Sequence, residues 1–205
     1  MTEKKIRPWA PQGACVSLVP PGTSTFGLGL FHQDFINPRT PDKPPETFVT
    51  FTKKPGTTIC TVTHDGRLVL VRQFQQGAEI VAMEFPAGLA LKDEETSALA
   101  IKRLREETGY EAREFHPLHT HPILIAPRKS PSGFDLFAAL GCTQVGEQDL
   151  TDREEDIEVI IVSPSEFWSM VQRGEIRSAE TLLAAYMSAA HGFIPGPHVS
   201  SENQI

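Results

Sequence analysis

The stretch Gly88 to Tyr110, GLALKDEETSALAIKRLREETGY, constrains this chain more than any other. It reads as a loop that feeds one helix, with Ala98, Ile101 and Leu104 beside Ala100 as its apolar stripe and Gly109 as a left-handed C-cap. On such a helix, residues 103, 106 and 107 stand at i, i+3 and i+4 and crowd one face. Carboxylates crowded there repel one another and are tolerable beside a cation, and hard oxygen ligands with phosphates suit Mg²⁺. Glu106 and Glu107 supply two carboxylates on that face, and Arg103 beside them is a permanently charged guanidinium. A solvated Arg103–Glu107 pair would contribute only about 0.3–0.5 kcal/mol.

Around this segment the chain divides unevenly. Eight of its seventeen prolines lie in the first 45 residues, so residues 1–50 read as an arm, with short edge strands around Cys15 to Val19 and Thr25 to Phe31. From Thr57, TTICTVT runs into His64-Asp65-Gly66 and then RLVLVRQF, two β-branched-rich runs joined by a turn signal, which predicts a hairpin. Val81 to Phe85 reads as a strand ending at Pro86-Ala87-Gly88. Strand signals return at Phe134 to Ala139 and Ile157 to Val162, and Ser163-Pro164-Ser165-Glu166 carries the cap, first-turn proline and glutamate of a helix start. Phe167, Trp168, Met170 and Val171 read as core, a last helix covers Ala179 to Ala190, and residues 196–205 are a polar tail. Residues 51–195 then form one mixed α/β (α+β) domain, a sheet sandwiched between helices.

Composition narrows the partners. A net charge of −7 and a pI near 5.5 give no basic face for nucleic acid. Cys15, Cys60 and Cys142 have no C-x-x-C spacing and read as reduced thiols. No apolar segment suits a signal peptide or a membrane span, so the expected location is the cytoplasm. His116, His119 and His121 lack a cysteine or carboxylate at complementary spacing and read as a surface loop.

The 23-residue segment resembles the Nudix box, G-x5-E-x7-R-E-U-x-E-E-x-G-U with U apolar or aromatic. Gly88, Glu94, Leu104, Glu106, Glu107, Gly109 and Tyr110 match, whereas Lys102 stands in place of the arginine and Arg103 in place of the first glutamate. Asp65 to Phe74, Glu84-Phe85-Pro86-Ala87-Gly88, Ile157-Glu158-Val159 and Gly174 to Ala179 are similar to the ADP-ribose pyrophosphatase branch of that family.

That resemblance implies the Nudix sandwich and cleavage of ADP-ribose or a related nucleoside diphosphate sugar. It implies Mg²⁺ or Mn²⁺ held by Glu106, Glu107 and the Ala87 carbonyl, and a substrate site lined by Arg72, Phe74 and Glu84. It also implies a homodimer whose arm crosses to the partner, with Trp9 either stacking on the adenine or anchoring the arm. In that branch a glutamate before the Ile157 strand acts as general base, here Glu154 or Glu155. Arg103 cannot inherit a ligand role, and Gln75 stands where relatives commonly carry an arginine. Two functions remain open: a phosphoanhydride hydrolase with an altered metal site, or a protein that needs no metal and binds a ligand or reuses the pocket for acid/base chemistry, with Arg103 and Glu107 as a charge pair.

Overall fold

The computed structural model describes residues 10–19, 28–90, 94–150 and 157–197. The chain divides into two compact units, Met1–Lys54 with Leu124–Ser132 and Pro55–Ile123 with Gly133–Ile205.

The first unit is built on an antiparallel sheet of β1 (Ala10–Ser17), β2 (Gly29–Ile36) and β3 (Glu46–Thr52), in that order. The expected arm strands exist with shifted bounds: β1 starts earlier than Cys15, and β2 begins only at Gly29. The first half of the Thr25 to Phe31 expectation lies outside the described residues. The segment 126–132 docks on the edge of β3, where Phe51 donates to the Lys129 carbonyl at 2.9 Å and Lys53 donates to Ser132 Oγ at 2.9 Å.

The second unit contains β4 (Gly56–Thr63), β5 (Leu68–Gln75), β6 (Ile80–Glu84), β7 (Ala87–Leu89), α1 (Thr96–Thr108), β8 (Tyr110–Glu111) and β9 (Glu114–Pro117). After β10 (Ile123–Leu124), at the boundary between the units, follow β11 (Gly133–Gln144), β12 (Glu158–Val162), α2 (Pro164–Gln172) and α3 (Ala179–Ala190). Its sheet runs β11-β4-β5-β12, with β6 on the far half of β5, β7 on β4, and β8 and β9 on β11. β4 and β11 are parallel, with Ile59 opposite Phe137, whereas the β4–β5 and β5–β12 pairs are antiparallel, so the sheet is mixed.

All eight residues of β4 are buried, the pattern of a strand covered on both faces. Alternation divides the central strands cleanly. Ile59, Val69, Phe137 and Ala139 pack with Ala100, Leu104 and Tyr110 from the α1 side. Cys60, Leu70, Leu136 and Ala138 pack with Phe85, Phe167, Trp168 and Ala184 from the α2 and α3 side. The result is the expected α/β sandwich. Ser163 caps α2 by accepting from Glu166 N at 3.1 Å, and Thr181 Oγ1 accepts from Phe85 N at 3.1 Å, which fixes α3 to the end of β6. Among the described residues, no helix is long and apolar enough to cross a membrane.

One expectation fails on α1. Ala98 and Ile101 face solvent, Ile101 being 54% exposed, and the buried face is Leu99, Ala100, Leu104, Glu107 and Thr108. Two i, i+3-like rows compete along this helix, and the row that meets Ile59 and Val69 of the sheet is the one that also carries polar Arg103 and Glu107. Those polar residues dilute the apolar period on the buried side.

Candidate functional site

Helix α1 begins at Glu95, an extended N-cap whose carboxylate accepts from Ser97 N at 2.9 Å and Ala98 N at 3.3 Å. The Ser97 hydroxyl, followed by those amides, holds the Glu95 carboxyl below its ordinary range. One residue on, Thr96 Oγ1 donates to Asp135 Oδ2 of β11 at 2.7 Å, which pins the first turn to the sheet. At the other end Gly109 has φ 74°, and a Cβ there would lie 2.3 Å from the Gly146 carbonyl oxygen, so both the backbone conformation and the space demand glycine.

Between these ends the helix crosses β7. A Cβ on Gly88 would lie 2.6 Å from Cγ of Arg103, so the glycine provides the room in which the arginine stem lies. Arg103 Nη1 reaches Glu106 Oε2 at 3.3 Å, and Lys102 Nζ reaches Glu106 Oε1 at 3.7 Å. Glu107 is 5% exposed and accepts from Ala87 N at 3.2 Å. The structure thus brings Ala87, Gly88, Arg103, Glu106 and Glu107 into one cluster, in which Ala87 meets Glu107 through its N–H.

The last turn of α1 is clasped from outside by residues 145–149. Asp149 N donates to the Glu106 carbonyl at 2.8 Å, and Gln148 Nε2 donates to the Glu107 carbonyl at 2.6 Å and to the Ile157 carbonyl at 3.0 Å. Sequence reading passed over Gln148, since a glutamine in a loop carries no motif.

The residues of β5 and β6 divide between two faces. Glu84 lies opposite Val71, on the side that α1 covers, and its carboxylate accepts from Gln75 Nε2 at 2.5 Å. Arg72 and Phe74 alternate onto the other side, with Leu70 and Met83. Arg72 faces Glu158 across the β5–β12 ladder and forms an ion pair with it; both side chains are about half exposed. Phe74 is half exposed opposite Val81. Trp9, Glu154 and Glu155 lie outside the described residues.

A family model of the NUDIX domain matches residues 52–185. The chain belongs to the Nudix family. This Nudix chain is 29% identical over 133 residues to an ADP-ribose pyrophosphatase of Bacillus subtilis (strain 168), covering 64% of this chain and 71% of the relative. It is 25% identical over 126 residues to a methanol dehydrogenase activator of Bacillus methanolicus, covering 62% and 67% of the two chains. Its fold matches the crystal structure of an ADP compounds hydrolase with a TM-score of 0.74 at 15% identity, over 92% of this chain and 96% of the other.

The carboxylates that a Nudix box offers to a divalent cation have protein partners on α1. Glu106 is engaged by two cationic side chains, Glu107 accepts an amide, and position 103 is itself cationic. Among the described residues, no three His, Cys, Asp or Glu side chains are grouped to hold a metal ion. The histidines of the 116–121 segment have other contacts: His116 stacks on Phe193 at 5.1 Å between centroids, and His119 accepts from His121 N at 3.1 Å.

The first unit carries a cavity of its own, about 780 Å³, within the size range of small-molecule sites. Phe35 and Phe48, edge to face at 5.7 Å, share its wall with Arg128 and Lys129.

Proposed function

We propose that this protein is a phosphoanhydride hydrolase acting on a nucleoside diphosphate sugar of the ADP-ribose kind, with a metal site altered by Arg103. The observation that carries the reading is the Ala87–Glu107 contact beside Gly88: the backbone corner and the helix carboxylate that a Nudix box requires are held together here. Similarity to a relative named ADP-ribose pyrophosphatase across 71% of that relative supports the substrate class. Glu84 on the α1 side, and Arg72 with Phe74 from the opposite face of the β5–β6 pair, are assigned to the substrate, and Glu154 or Glu155 to proton transfer from the attacking water. A homodimer and a cytoplasmic location complete the reading, with residues 1–50 as the dimer arm and 51–195 as the catalytic domain.

A second reading is favoured by the surroundings of Glu106. Lys102 and Arg103 both address Glu106, so the helix supplies its own counter-charge. On this reading the protein works without a metal, as a ligand-binding Nudix protein or an acid/base enzyme on another small molecule. AMP release from ADP-ribose with Mg²⁺ or Mn²⁺, wild type beside Arg103→Glu, decides between them. Turnover by the wild type supports the hydrolase. A silent wild type beside an active variant overturns it in favour of a pocket diverted from hydrolysis.

A further inference from the structure

We propose that Gln148 is a positioning residue that ties the last turn of α1 to the start of β12 through one carboxamide. The last carbonyls of a helix have no partner within it and take donors from elsewhere. Residues 145–149 serve that end of α1. Val145 N donates to the Gly109 carbonyl at 2.9 Å, Asp149 N to the Glu106 carbonyl at 2.8 Å, and Arg105 Nη1 donates back to the Glu147 carbonyl at 2.9 Å. Each of these contacts ends at the helix or its cap.

Gln148 alone among them passes the connection on. Its Nε2 carries two hydrogens, one for the Glu107 carbonyl at 2.6 Å and one for the Ile157 carbonyl at 3.0 Å. Both acceptors matter to the site. Glu107 is held at its carboxylate by Ala87 N and at its backbone by Gln148. Ile157 precedes Glu158, the partner of Arg72 across the sheet. The sequence Glu107, Gln148, Ile157, Glu158, Arg72 therefore links the carboxylate helix to the strand pair through one side chain. No other amino acid of similar length offers a neutral pair of donors on one nitrogen, because glutamate would turn acceptors toward two carbonyls and leucine has no donor.

The kinetic part of this inference rests on the hydrolase reading, whereas the structural part does not. The test compares full-length wild type with Gln148→Leu and Gln148→Asn, the latter one methylene too short to span both carbonyls. Amide hydrogen exchange is followed by mass spectrometry in peptides covering 104–110 and 157–162, beside AMP release from ADP-ribose. In Gln148→Leu both peptides exchange about tenfold faster together while the β4–β5 hairpin is unchanged. The kcat falls about tenfold with KM altered less than about twofold, and Gln148→Asn is intermediate.

Faster exchange in only one peptide, or a uniform rise over the whole chain, overturns the proposal, as does an unchanged kcat in an active enzyme. If Gln148→Leu fails to fold, Gln148→Asn decides by the same criteria. A wild type that releases no AMP sinks the hydrolase reading alone, and the paired exchange then decides whether Gln148 is the clamp.

Discussion

Glu107 accepts the backbone N–H of Ala87 at 3.2 Å, a contact that joins the helix to the corner before Gly88 from within a site only 5% exposed. An acceptor removed from such a place strands its donor, at about 1–3 kcal/mol. Glu107→Ala is therefore expected to lower the urea unfolding free energy by that amount. Glu107→Gln keeps an acceptor oxygen and should remain within about 1 kcal/mol of wild type, while losing at least about tenfold in AMP release if the carboxylate charge serves the reaction. Equal stability losses in the two variants would remove the hydrogen bond from the argument.

Arg103→Glu exchanges a fixed cation for a ligand between Gly88 and Glu106. Mg²⁺ affinity measured by calorimetry should rise at least about tenfold, or about 1.4 kcal/mol, and Mg²⁺ should raise the melting temperature of the variant more than that of wild type. An unchanged affinity would mean that Arg103 is not what opposes the metal.

Two glycines with positive φ separate strain from collision. Gly66, at φ 80° in the β4–β5 turn, has open space around its missing Cβ, so Gly66→Ala should cost about 1–2 kcal/mol from conformation alone. Gly109→Ala adds a backbone collision with Gly146 and should cost clearly more, with loss of the 145–149 clasp. Denaturant midpoints compare them directly, and equal costs would show that the 145–149 segment simply yields.

Burial pushes the thiols of Cys60 and Cys142 up to about 12, whereas Cys15 is exposed. A thiol reagent at pH 8 should modify one cysteine in the native protein and three after denaturation. The linkage has a definite sign. Both thiols stay protonated in the folded chain above the pH where unfolded cysteines ionise, so their contribution is intact below about pH 8.5 and is lost as pH rises toward 12. Stability followed from pH 8 to 11 should fall less steeply in a Cys60→Ala variant than in wild type.

The central hairpin, the start of α2 and the Gly109 cap were legible because each rests on local chemistry: β-branched runs around Asp65-Gly66, a serine and a proline at 163 and 164, a glycine after Thr108. The buried face of α1 was not. Leu99 and Ile101 are equally apolar, and only the position of Ile59 and Val69 across the sheet decides between them. The division of the candidate substrate residues was available in principle, because Arg72 and Phe74 alternate against Gln75, yet it needed the β5–β6 register that sets Glu84 opposite Val71. Lys102 and Arg103 were seen as departures from a pattern, but their shared attachment to Glu106 depends on rotamers that spacing leaves open.

Parallel pairing of β4 with β11 has a consequence for how the molecule is made. β4 and β5 can close their hairpin as soon as they leave the ribosome, but the other edge of β4 must wait until most of the chain has been synthesised before β11 arrives. Until then, a strand destined for complete burial presents bare N–H and C=O groups and an apolar surface to its surroundings. A chain truncated before Gly133 should thus be an aggregating fragment, and the slow step of folding should be the long-range closure of this pair.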